Sequence, residues 1–310
     1  MRAPKITSPP LICGARLQAC RVDIRVDVRR RALTLLLLTA TLAAAAPPQR
    51  IISTAPSITE LLYALGLGDR VVGVTRYCRY PPEAQLKPKI GDYTSPNIEA
   101  IAALRPDLVV VQTNPIHLAD RLGILKLHVL EINQENIAAI YKSIHDIAAA
   151  TATDQAAARL TSSIRDGLNK TRARVSTLPR VRMMFVIGRS PDRLDGLVVA
   201  GRASYLNEVI EIAGGENVFR DAVAAYPKVS LEEVMARNPE VIVDMGDMAD
   251  TVGVTEAHKR TVTALWDRIP TLAAVKQHRV FAVASDIYVV PGPRVVDAAK
   301  AFAEMLHPGL

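Results

Sequence analysis

One helix–strand unit occurs twice in this chain, once in each half. Residues 97–110 read NIEAIAALRPDLVV, and residues 230–243 read SLEEVMARNPEVIV. Each copy opens with an Asn or Ser typical of a helix N-cap, stops its helix at a Pro, and continues into an apolar run that predicts a buried strand. A duplicated unit of this kind predicts two similar α/β lobes with a cleft between them.

The two copies place an acid at the same position of the helix, Glu99 in the first and Glu232 in the second. An acid in the first turn complements the helix dipole and contributes about 0.3–1 kcal/mol. Duplication alone would keep it there. The alternative, which we favour, is a partner that contacts both lobes together through these two carboxylates.

Strands and helices alternate through the first half of the chain. This alternation predicts a parallel sheet with helices on both faces. The predicted strands are Arg50–Thr54, Val71–Thr75, Leu108–Gln112 and Leu127–Ile132, and the predicted helices are Ile58–Leu65 and one near Leu118–Leu125. The second half repeats the scheme, with strands at Arg182–Ile187, Leu197–Ala200 and Arg279–Val283, and helices at Ser204–Ala213 and from about Pro293 to Leu306.

A long helical region separates the two halves. Isoleucines recur at helical spacing from Ile137 to Ile147, the pattern breaks at residues 151–154, and a second apolar stripe ends before Pro179. A helix of about 25 residues is roughly 37 Å long, which is enough to connect two lobes and to hold the cleft rigid. The predicted fold is therefore two Rossmann-like α/β lobes with mainly parallel sheets, spanning residues 47–133 and 180–310 and joined by a helical linker at 134–179.

Residues 1–46 have the pattern of a secretory signal peptide. Three arginines at 29–31 precede a short apolar core, and small residues follow up to Pro47. That core is shorter than the 20 residues or so that a bilayer span needs. We expect export to the periplasm by the general route. An uncleaved anchor and a twin-arginine signal are the alternatives.

The net charge of +7 arises largely from this leader. Residues 1–46 contain eight of the 38 Lys and Arg but two of the 31 Asp and Glu, which leaves 30 bases against 29 acids. The nearly neutral remainder argues against a nucleic-acid partner. Of the three cysteines, Cys13 and Cys20 precede the predicted cleavage site, and Cys78 is expected to be a small packing residue beside the cleft.

The sequence lacks the motifs of the common enzyme classes. There is no Gly-rich loop ending in Lys-Ser/Thr, no Gly-x-Ser-x-Gly and no His-Glu-x-x-His. The six histidines are scattered without metal-ligand spacing. We predict no catalytic residues, no resident metal and no cofactor. His117 stays open as a ligand contact because it follows a predicted strand, where ligands gather in open α/β sheets.

Tyrosines and arginines cluster in the loops after the predicted strands. Phenol rings stack on flat ligands, and guanidinium groups bind carboxylates or phosphates. Packing or solvated roles are the alternative for each residue taken singly. The candidate ligand contacts, together with His117, are Tyr77, Arg79, Tyr93, Arg189, Asp286, Tyr288 and Arg294.

Three of these residues, Tyr77, Arg79 and Arg294, belong to longer motifs. The motifs are RIIS at 50–53 with PSITE at 56–60, YCRYPPEA at 77–84, IGD at 90–92, both repeat copies, AGGENVF at 213–219 and PGPR at 291–294. With them the chain resembles the periplasmic substrate-binding proteins of vitamin B12 and iron-complex ABC importers, the class with a rigid helical linker. The resemblance covers residues 50–308.

The resemblance implies several roles. Glu99 and Glu232 would dock onto Arg pockets of a permease dimer that works with its ATPase. Tyr77 matches a cobalamin-contacting Tyr, and Tyr93 stands where the B12 binders have a Trp. We expect a monomer that captures cobalamin or a related corrinoid, with a ferric siderophore or haem as the alternative ligand. An exported enzyme that uses the cleft, and a sensor that serves no transporter, are the other hypotheses.

Overall fold

The chain folds into two α/β lobes joined by helices, which confirms the predicted fold class. The computed structural model describes residues 46–113, 117–246 and 254–310. The predicted leader, apart from Ala46, lies outside the described residues. Within the described ranges, no helix is long and apolar enough to cross a bilayer.

The N-terminal lobe contains a four-stranded parallel sheet with the strand order β2-β1-β3-β4. Its strands are β1 (Ile51–Ser53), β2 (Val71–Val74), β3 (Leu108–Gln112) and β4 (Val129–Ile132), and its helices are α1 (Pro56–Ala64), α2 (Ile98–Ala103) and α3 (Leu118–Ile124). The apolar run after the first repeat helix forms β3, which lies at the sheet centre beside β1. All strands are parallel, so their carboxyl ends lie at one edge of the sheet, where the loops carry the cleft residues.

Two helices connect the lobes, α4 (Ile137–Thr151) and α5 (Asp154–Val175). The predicted break between them is present, because Ala152 takes a left-handed conformation with φ 57° and ends α4. With 22 residues, α5 extends over about 33 Å. The apolar stripes of both helices pack into a hydrophobic cluster that also contains buried residues of both lobes. This cluster is therefore common to both lobes, and each lobe also has a smaller cluster of its own.

The C-terminal lobe contains a mixed sheet with the order β10-β9-β5-β6-β8 and β7 paired to β5. Its strands are β5 (Val181–Gly188), β6 (Leu197–Val199), β7 (Gly215–Asn217), β8 (Lys228–Val229), β9 (Val241–Asp244) and β10 (Val280–Ala282); its helices are α6 (Tyr205–Ile212), α7 (Leu231–Arg237), α8 (Glu256–Trp266), α9 (Ala273–Lys276) and α10 (Val295–Leu306). The β5–β6 and β6–β8 pairs are antiparallel. Sequence reasoning missed β7 and β8, which are too short and too polar to give a periodic signal.

The two repeat copies have the same local geometry. The Asn97 side chain accepts a hydrogen bond from the Ala100 N–H at 2.8 Å, and Ser230 caps α7 in a reciprocal capping box with Glu233. Each helix ends before its proline at a residue with φ 44°, Arg105 in the first copy and Asn238 in the second. The predicted N-caps are confirmed, and the left-handed residue before each proline completes the turn into the buried strand.

Candidate ligand-binding cleft

A cavity of about 470 Å³ lies between the two lobes. We call it the tyrosine chamber. Its N-terminal-lobe wall comes from loops at the carboxyl ends of the strands, and its C-terminal-lobe wall is largely aliphatic. The lining residues are Pro56, Ser57, Tyr77, Arg79, Tyr93, Thr94 and Gln112 on one side, and Tyr226, Asp286, Val289, Val290 and Pro291 on the other. Four predicted ligand contacts, Tyr77, Arg79, Tyr93 and Asp286, are thus brought together.

Cys78 holds the loop that displays Tyr77 and Arg79. The thiol is 1% exposed, accepts a hydrogen bond from the Thr59 hydroxyl at 3.0 Å and lies 3.1 Å from the Thr75 hydroxyl. Its flanking Tyr77 side chain is 48% exposed. Burial raises the pKa of Cys78, so the thiol is neutral. The expected packing role of Cys78 is confirmed, and the residue fixes its two neighbours at the cleft.

Tyr93 lies in a tight loop that only glycine can begin. Gly91 has φ 93°, and a Cβ there would come within 2.9 Å of the Asn97 nitrogen. The loop closes with an Asn97 N–H to Ile90 carbonyl hydrogen bond of 2.8 Å. Burial raises the pKa of the Tyr93 phenol, and nearby Tyr226 raises it further. Tyr93 is therefore half-buried in the cleft, with a tyrosine of the other lobe beside it.

Tyr226 is a cleft residue that sequence reasoning missed. Its side chain is 49% exposed and lines the C-terminal-lobe side of the tyrosine chamber. The residue stands in an irregular loop before β8 and follows no predicted strand. The available signal was the aromatic residue before Pro227, in a stretch otherwise rich in alanine.

A second cavity of about 560 Å³ adjoins the first and shares Arg79 and Asp286 with it. We call it the basic chamber. Arg76 forms an ion pair with Asp92 at its rim. The Lys89 ammonium donates to the Ala84 carbonyl at 3.2 Å. The lining residues are Arg76, Cys78, Arg79, Tyr80, Gln85, Lys89, Ser285, Asp286 and Arg294.

Arg294 also joins the two lobes. Its Nε donates to Glu60 Oε2 at 3.0 Å, its Nη2 donates to Glu60 Oε1, and its guanidinium lies 4.1 Å from the centre of the Tyr80 ring. The Glu60 side chain is 2% exposed, and Gly292 packs so closely that a Cβ there would approach Glu60 Oε2 to 3.1 Å. Burial raises the pKa of Glu60, while Arg294 opposes that rise. Arg294 is thus both a chamber residue and half of an interlobe ion pair.

Two hydrogen bonds through Gln134 also connect the lobes, beside the Glu60–Arg294 ion pair. The Ser57 hydroxyl donates to the Gln134 side-chain oxygen at 2.6 Å, and the Gln134 amide donates to the Pro291 carbonyl at 2.8 Å. Ser57 belongs to the N-terminal lobe, Gln134 precedes α4, and Pro291 belongs to the C-terminal lobe. Because Ser57 and Gln134 are buried, their polar groups need these partners. These two hydrogen bonds hold the lobes together next to the tyrosine chamber.

Arg189 is placed in a buried structural ion pair rather than on the wall of either chamber. Its Nε lies 3.0 Å from Asp244 Oδ2, with the two side chains 4% and 0% exposed. The same carboxylate accepts hydrogen bonds from Trp266 Nε1 at 2.8 Å and from the Gly246 N–H. The guanidinium therefore neutralises a buried acid at the ends of β5 and β9, and the prediction that Arg189 contacts the ligand is wrong.

Tyr288 is placed in the core of the C-terminal lobe. It is 6% exposed, and its ring packs against Phe185 and Phe302 with centroid distances of 6.0 and 5.4 Å. Burial raises the pKa of its phenol to about 12. Its neighbour Asp286 reaches the cleft, whereas the 3-10 turn at Asp286–Tyr288 directs the tyrosine inward. The prediction that Tyr288 contacts the ligand is therefore wrong as well.

His117 lies outside both chambers. Its side chain is 77% exposed, its backbone has φ 48°, and its Nδ1 lies 3.7 Å from Asp120. It begins α3 next to residues 114–116, which are not described. Across the described ranges, no group of three or more His, Cys, Asp or Glu residues is arranged to hold a metal ion.

The two matched acids of the repeat, Glu99 and Glu232, are both exposed at the starts of α2 and α7. Hydrogen bonds from its own backbone N–H and from Ser230 lower the pKa of Glu232. Both carboxylates therefore stand on rigidly capped helices with access to a partner.

Residues 51–287 match the model of the family described as periplasmic binding protein. The chain belongs to this family. One relative, the uncharacterized ABC transporter substrate-binding lipoprotein YvrC of Bacillus subtilis, is 32% identical over 267 residues, which are 84% of this chain and 81% of YvrC.

Solved structures of this periplasmic binding protein family have the same two-lobed fold. The periplasmic vitamin B12 binding protein BtuF of Vibrio cholerae has a TM-score of 0.71 and 27% identity, covering 84% of this chain and 97% of its own. The periplasmic heme-binding protein RhuT from Roseiflexus sp. RS-1 has a TM-score of 0.68 and 26% identity, covering 84% and 99%. Among these relatives of the periplasmic binding protein, YvrC is a substrate-binding protein of an ABC transporter, BtuF binds vitamin B12 and RhuT binds heme.

Proposed function

We propose that this protein is the periplasmic component of an ABC importer, which captures cobalamin or a related corrinoid and delivers it to the membrane permease. The observation that carries the proposal is the tyrosine chamber. Tyr77 and Tyr93 of one lobe and Tyr226 of the other line a single cavity. Aromatic rings on both sides of a cleft suit a large, flat ligand, because rings from the two lobes can stack on opposite faces of the ligand.

The polar groups of the chamber fit the fringe of such a ligand. Arg79 and Asp286 line its edge, so the site offers a hydrogen-bond donor and an acceptor to peripheral amides. The aliphatic wall of Val289, Val290 and Pro291 offers apolar surface to the ring system. This combination of an apolar cavity with few convergent polar groups is usual for small-molecule sites.

Delivery requires contact with the permease, and Glu99 and Glu232 are our proposed docking residues. They are exposed, they occupy equivalent positions of the repeat, and each stands on a side-chain-capped helix. The pattern of residues 1–46 supports export by a signal peptide. We expect the mature protein to act as a monomer in the periplasm.

Haem is the second candidate ligand, and a ferric siderophore is the third. The specific observation in favour of haem is the position of a basic chamber directly beside the tyrosines, since a porphyrin has a flat ring and two carboxylates. The similarity to RhuT, which is a heme-binding protein, also supports this candidate.

Calorimetric and absorbance titrations with cyanocobalamin, haem and ferric siderophores test the proposal. Saturable binding of cyanocobalamin, tighter than that of the other two, is the expected result. Tighter binding of haem or of a siderophore would replace the corrinoid assignment and retain the importer role. A protein that binds none of the three is not the proposed carrier.

A further inference from the structure

Another cavity, of about 350 Å³, lies between the two linker helices and the C-terminal lobe. We call it the linker cavity. It shares no lining residue with the tyrosine chamber or the basic chamber, and its size is at the lower end of the range for small-molecule sites. Its charged and phenolic lining residues are Tyr141 of α4, Arg165 and Arg172 of α5, Arg180 before β5, and Glu208 and Glu211 of α6.

The wall of the linker cavity formed by α5 carries positive charge. Arg165, Asn169 and Arg172 are four and three residues apart, so their side chains lie on one face of the helix. Arg172 Nη1 donates to Asn169 Oδ1 at 2.9 Å, which sets the two side chains beside each other. Burial raises the pKa of the nearby Tyr141 phenol, and Arg165 and Arg172 oppose that rise because both guanidinium groups lie near it. Two guanidinium groups beside a phenol and a carboxamide are groups that bind an oxyanion.

The wall formed by α6 carries negative charge. Glu208 and Glu211 are three residues apart, so their carboxylates are neighbours on the helix. Burial raises the pKa of half-buried Glu208, a hydrogen bond from the Ile137 N–H at the start of α4 opposes the rise, and Glu211 adds to it by repulsion. The Glu211 carboxylate accepts a hydrogen bond from the Asn207 amide at 2.9 Å. Because both donors are neutral, an added cation would relieve the repulsion between the two carboxylates.

The two walls do not neutralise each other. Among the residues that the structure describes, neither carboxylate forms an ion pair with an arginine of the linker cavity. Arg180 is held by the main chain instead, since its Nη1 donates to the Glu211 carbonyl at 2.7 Å and to the Gly215 carbonyl at 3.0 Å. Arg172 is held by Asn169. The opposite charges are therefore kept apart, with the cavity between them.

We propose that the linker cavity binds a small soluble zwitterion, with its oxyanion against Arg165 and Arg172 and its ammonium group against Glu208 and Glu211. A ligand with only one charge would pair with one wall and leave the other wall unpaired. The site goes beyond the proposed function, because it does not depend on which ligand occupies the cleft. Since its walls come from α4, α5 and α6, a bound zwitterion would also hold both linker helices to the C-terminal lobe.

Calorimetric titration with three related compounds tests the proposal. O-phosphoethanolamine carries both charged groups, inorganic phosphate carries the oxyanion alone, and ethanolamine carries the ammonium group alone. Each is titrated into wild-type protein, Arg172→Gln, Glu208→Gln and the matched control Arg174→Gln. Glutamine at position 208 keeps an oxygen that can accept the Ile137 N–H. Arg174 is exposed on the same helix and does not line the linker cavity.

Wild-type protein should bind O-phosphoethanolamine saturably, and at least about tenfold more tightly than phosphate or ethanolamine, because only the first compound pairs with both walls. Arg172→Gln and Glu208→Gln should each weaken this binding by about tenfold or more, which is the effect of losing one charge-assisted contact. Arg174→Gln should stay within about twofold of the wild type.

Three results would overturn the zwitterion site. The first is that wild-type protein does not bind O-phosphoethanolamine saturably. The second is that phosphate or ethanolamine alone binds as tightly, and the third is an unchanged affinity for O-phosphoethanolamine in Arg172→Gln or in Glu208→Gln. Co-sedimentation with phosphatidylethanolamine vesicles separates a soluble ligand from a lipid headgroup. Glu208-dependent binding to these vesicles without binding of free O-phosphoethanolamine would overturn the soluble ligand.

Discussion

Arg50 and Arg182 occupy equivalent positions in the two lobes and make the same contacts. Each backbone carbonyl accepts a hydrogen bond from the acid that follows the repeat's proline, Asp107 N–H at 3.0 Å and Glu240 N–H at 2.8 Å. Each guanidinium donates to the two carbonyls that end the repeat helix, for example Arg50 Nη2 to Leu104 O at 2.7 Å. Both copies therefore have the same set of hydrogen bonds between the end of the repeat helix and the start of the first strand of the lobe.

These hydrogen bonds predict that substitutions of two acids in the first repeat copy will affect stability differently. The Asp107 carboxylate accepts hydrogen bonds from the backbone N–H groups of Gln49 and Arg50, both 2.8 Å long. Asp107→Ala should lower the free energy of unfolding by about 1.5–3 kcal/mol, because these bonds involve a charged acceptor. Glu99→Ala, the control, should cost less than about 1 kcal/mol, since only its interaction with the helix dipole is lost. Urea denaturation measures both, and equal effects would refute the distinction.

The Glu60–Arg294 ion pair predicts strong coupling between two residues that are 234 positions apart. Arg294→Met alone should cost about 3–5 kcal/mol, because it leaves a buried carboxylate without its partner. The double variant Glu60→Met/Arg294→Met should recover much of that loss, as buried ion pairs are often replaceable by apolar groups. A double-mutant cycle from chemical denaturation gives the coupling energy. Additive single effects would show that the pair is not coupled.

Truncation of the chamber tyrosines should weaken ligand binding and spare the fold. Tyr77 and Tyr226 are each about half exposed, so Tyr77→Ala and Tyr226→Ala should change the free energy of unfolding by less than about 1 kcal/mol. Loss of a stacked ring should cost about 1–3 kcal/mol of binding, or roughly 5- to 150-fold in affinity. Calorimetry with the best ligand measures this loss. Unchanged affinity for either variant would remove that tyrosine from the site.

Charge reversal at the two matched acids tests docking. The double variant Glu99→Arg/Glu232→Arg should abolish stimulation of the permease ATPase in proteoliposomes, because like charges would then meet at both contacts. Its ligand affinity should equal that of the wild type, since neither residue lines a chamber. Glu131→Arg, a charge reversal at an exposed acid on β4, is the control. Persistent stimulation by the double variant would disprove the docking role.

The buried phenol of Tyr288 predicts an alkaline loss of stability. Its pKa is raised to about 12 in the folded protein and is near 10 in an unfolded chain. The folded state therefore keeps a proton that the unfolded state loses, so stability falls as pH rises from 10 to 12. Over this range the wild type should lose about 2 kcal/mol more than Tyr288→Phe. Urea denaturation at both pH values measures the difference, with Tyr77→Phe as the control.

The sequence was sufficient for the parts of the fold that periodicity and duplication encode. The repeat copies, the break between α4 and α5 and the parallel sheet of the first lobe all follow from local patterns. Cleft residues Tyr77, Arg79, Tyr93 and Asp286 were predictable for a related reason. They stand in loops at the carboxyl ends of strands, and those loops converge in any parallel sheet.

Other site residues could not be assigned this way, because a position near a strand end does not fix the direction of a side chain. Arg189 follows β5 but turns into the protein to meet Asp244, and Tyr288 turns into an aromatic core. The partner of Arg294 is Glu60 in the other lobe. The two residues are too far apart in the sequence for helical or strand periodicity to relate them. Tyr226 stands in an irregular loop, so no periodicity marks it.

The hydrophobic cluster common to both lobes has a consequence for unloading. Pulling either lobe off the connecting helices would expose part of this cluster to water at about 25 cal/mol per Å², and separating the two lobes would also break the Glu60–Arg294 contact. We therefore expect spontaneous opening to be infrequent and bound cargo to have a long residence time. The work of releasing it would fall on the ATP-driven transporter rather than on thermal motion of the carrier.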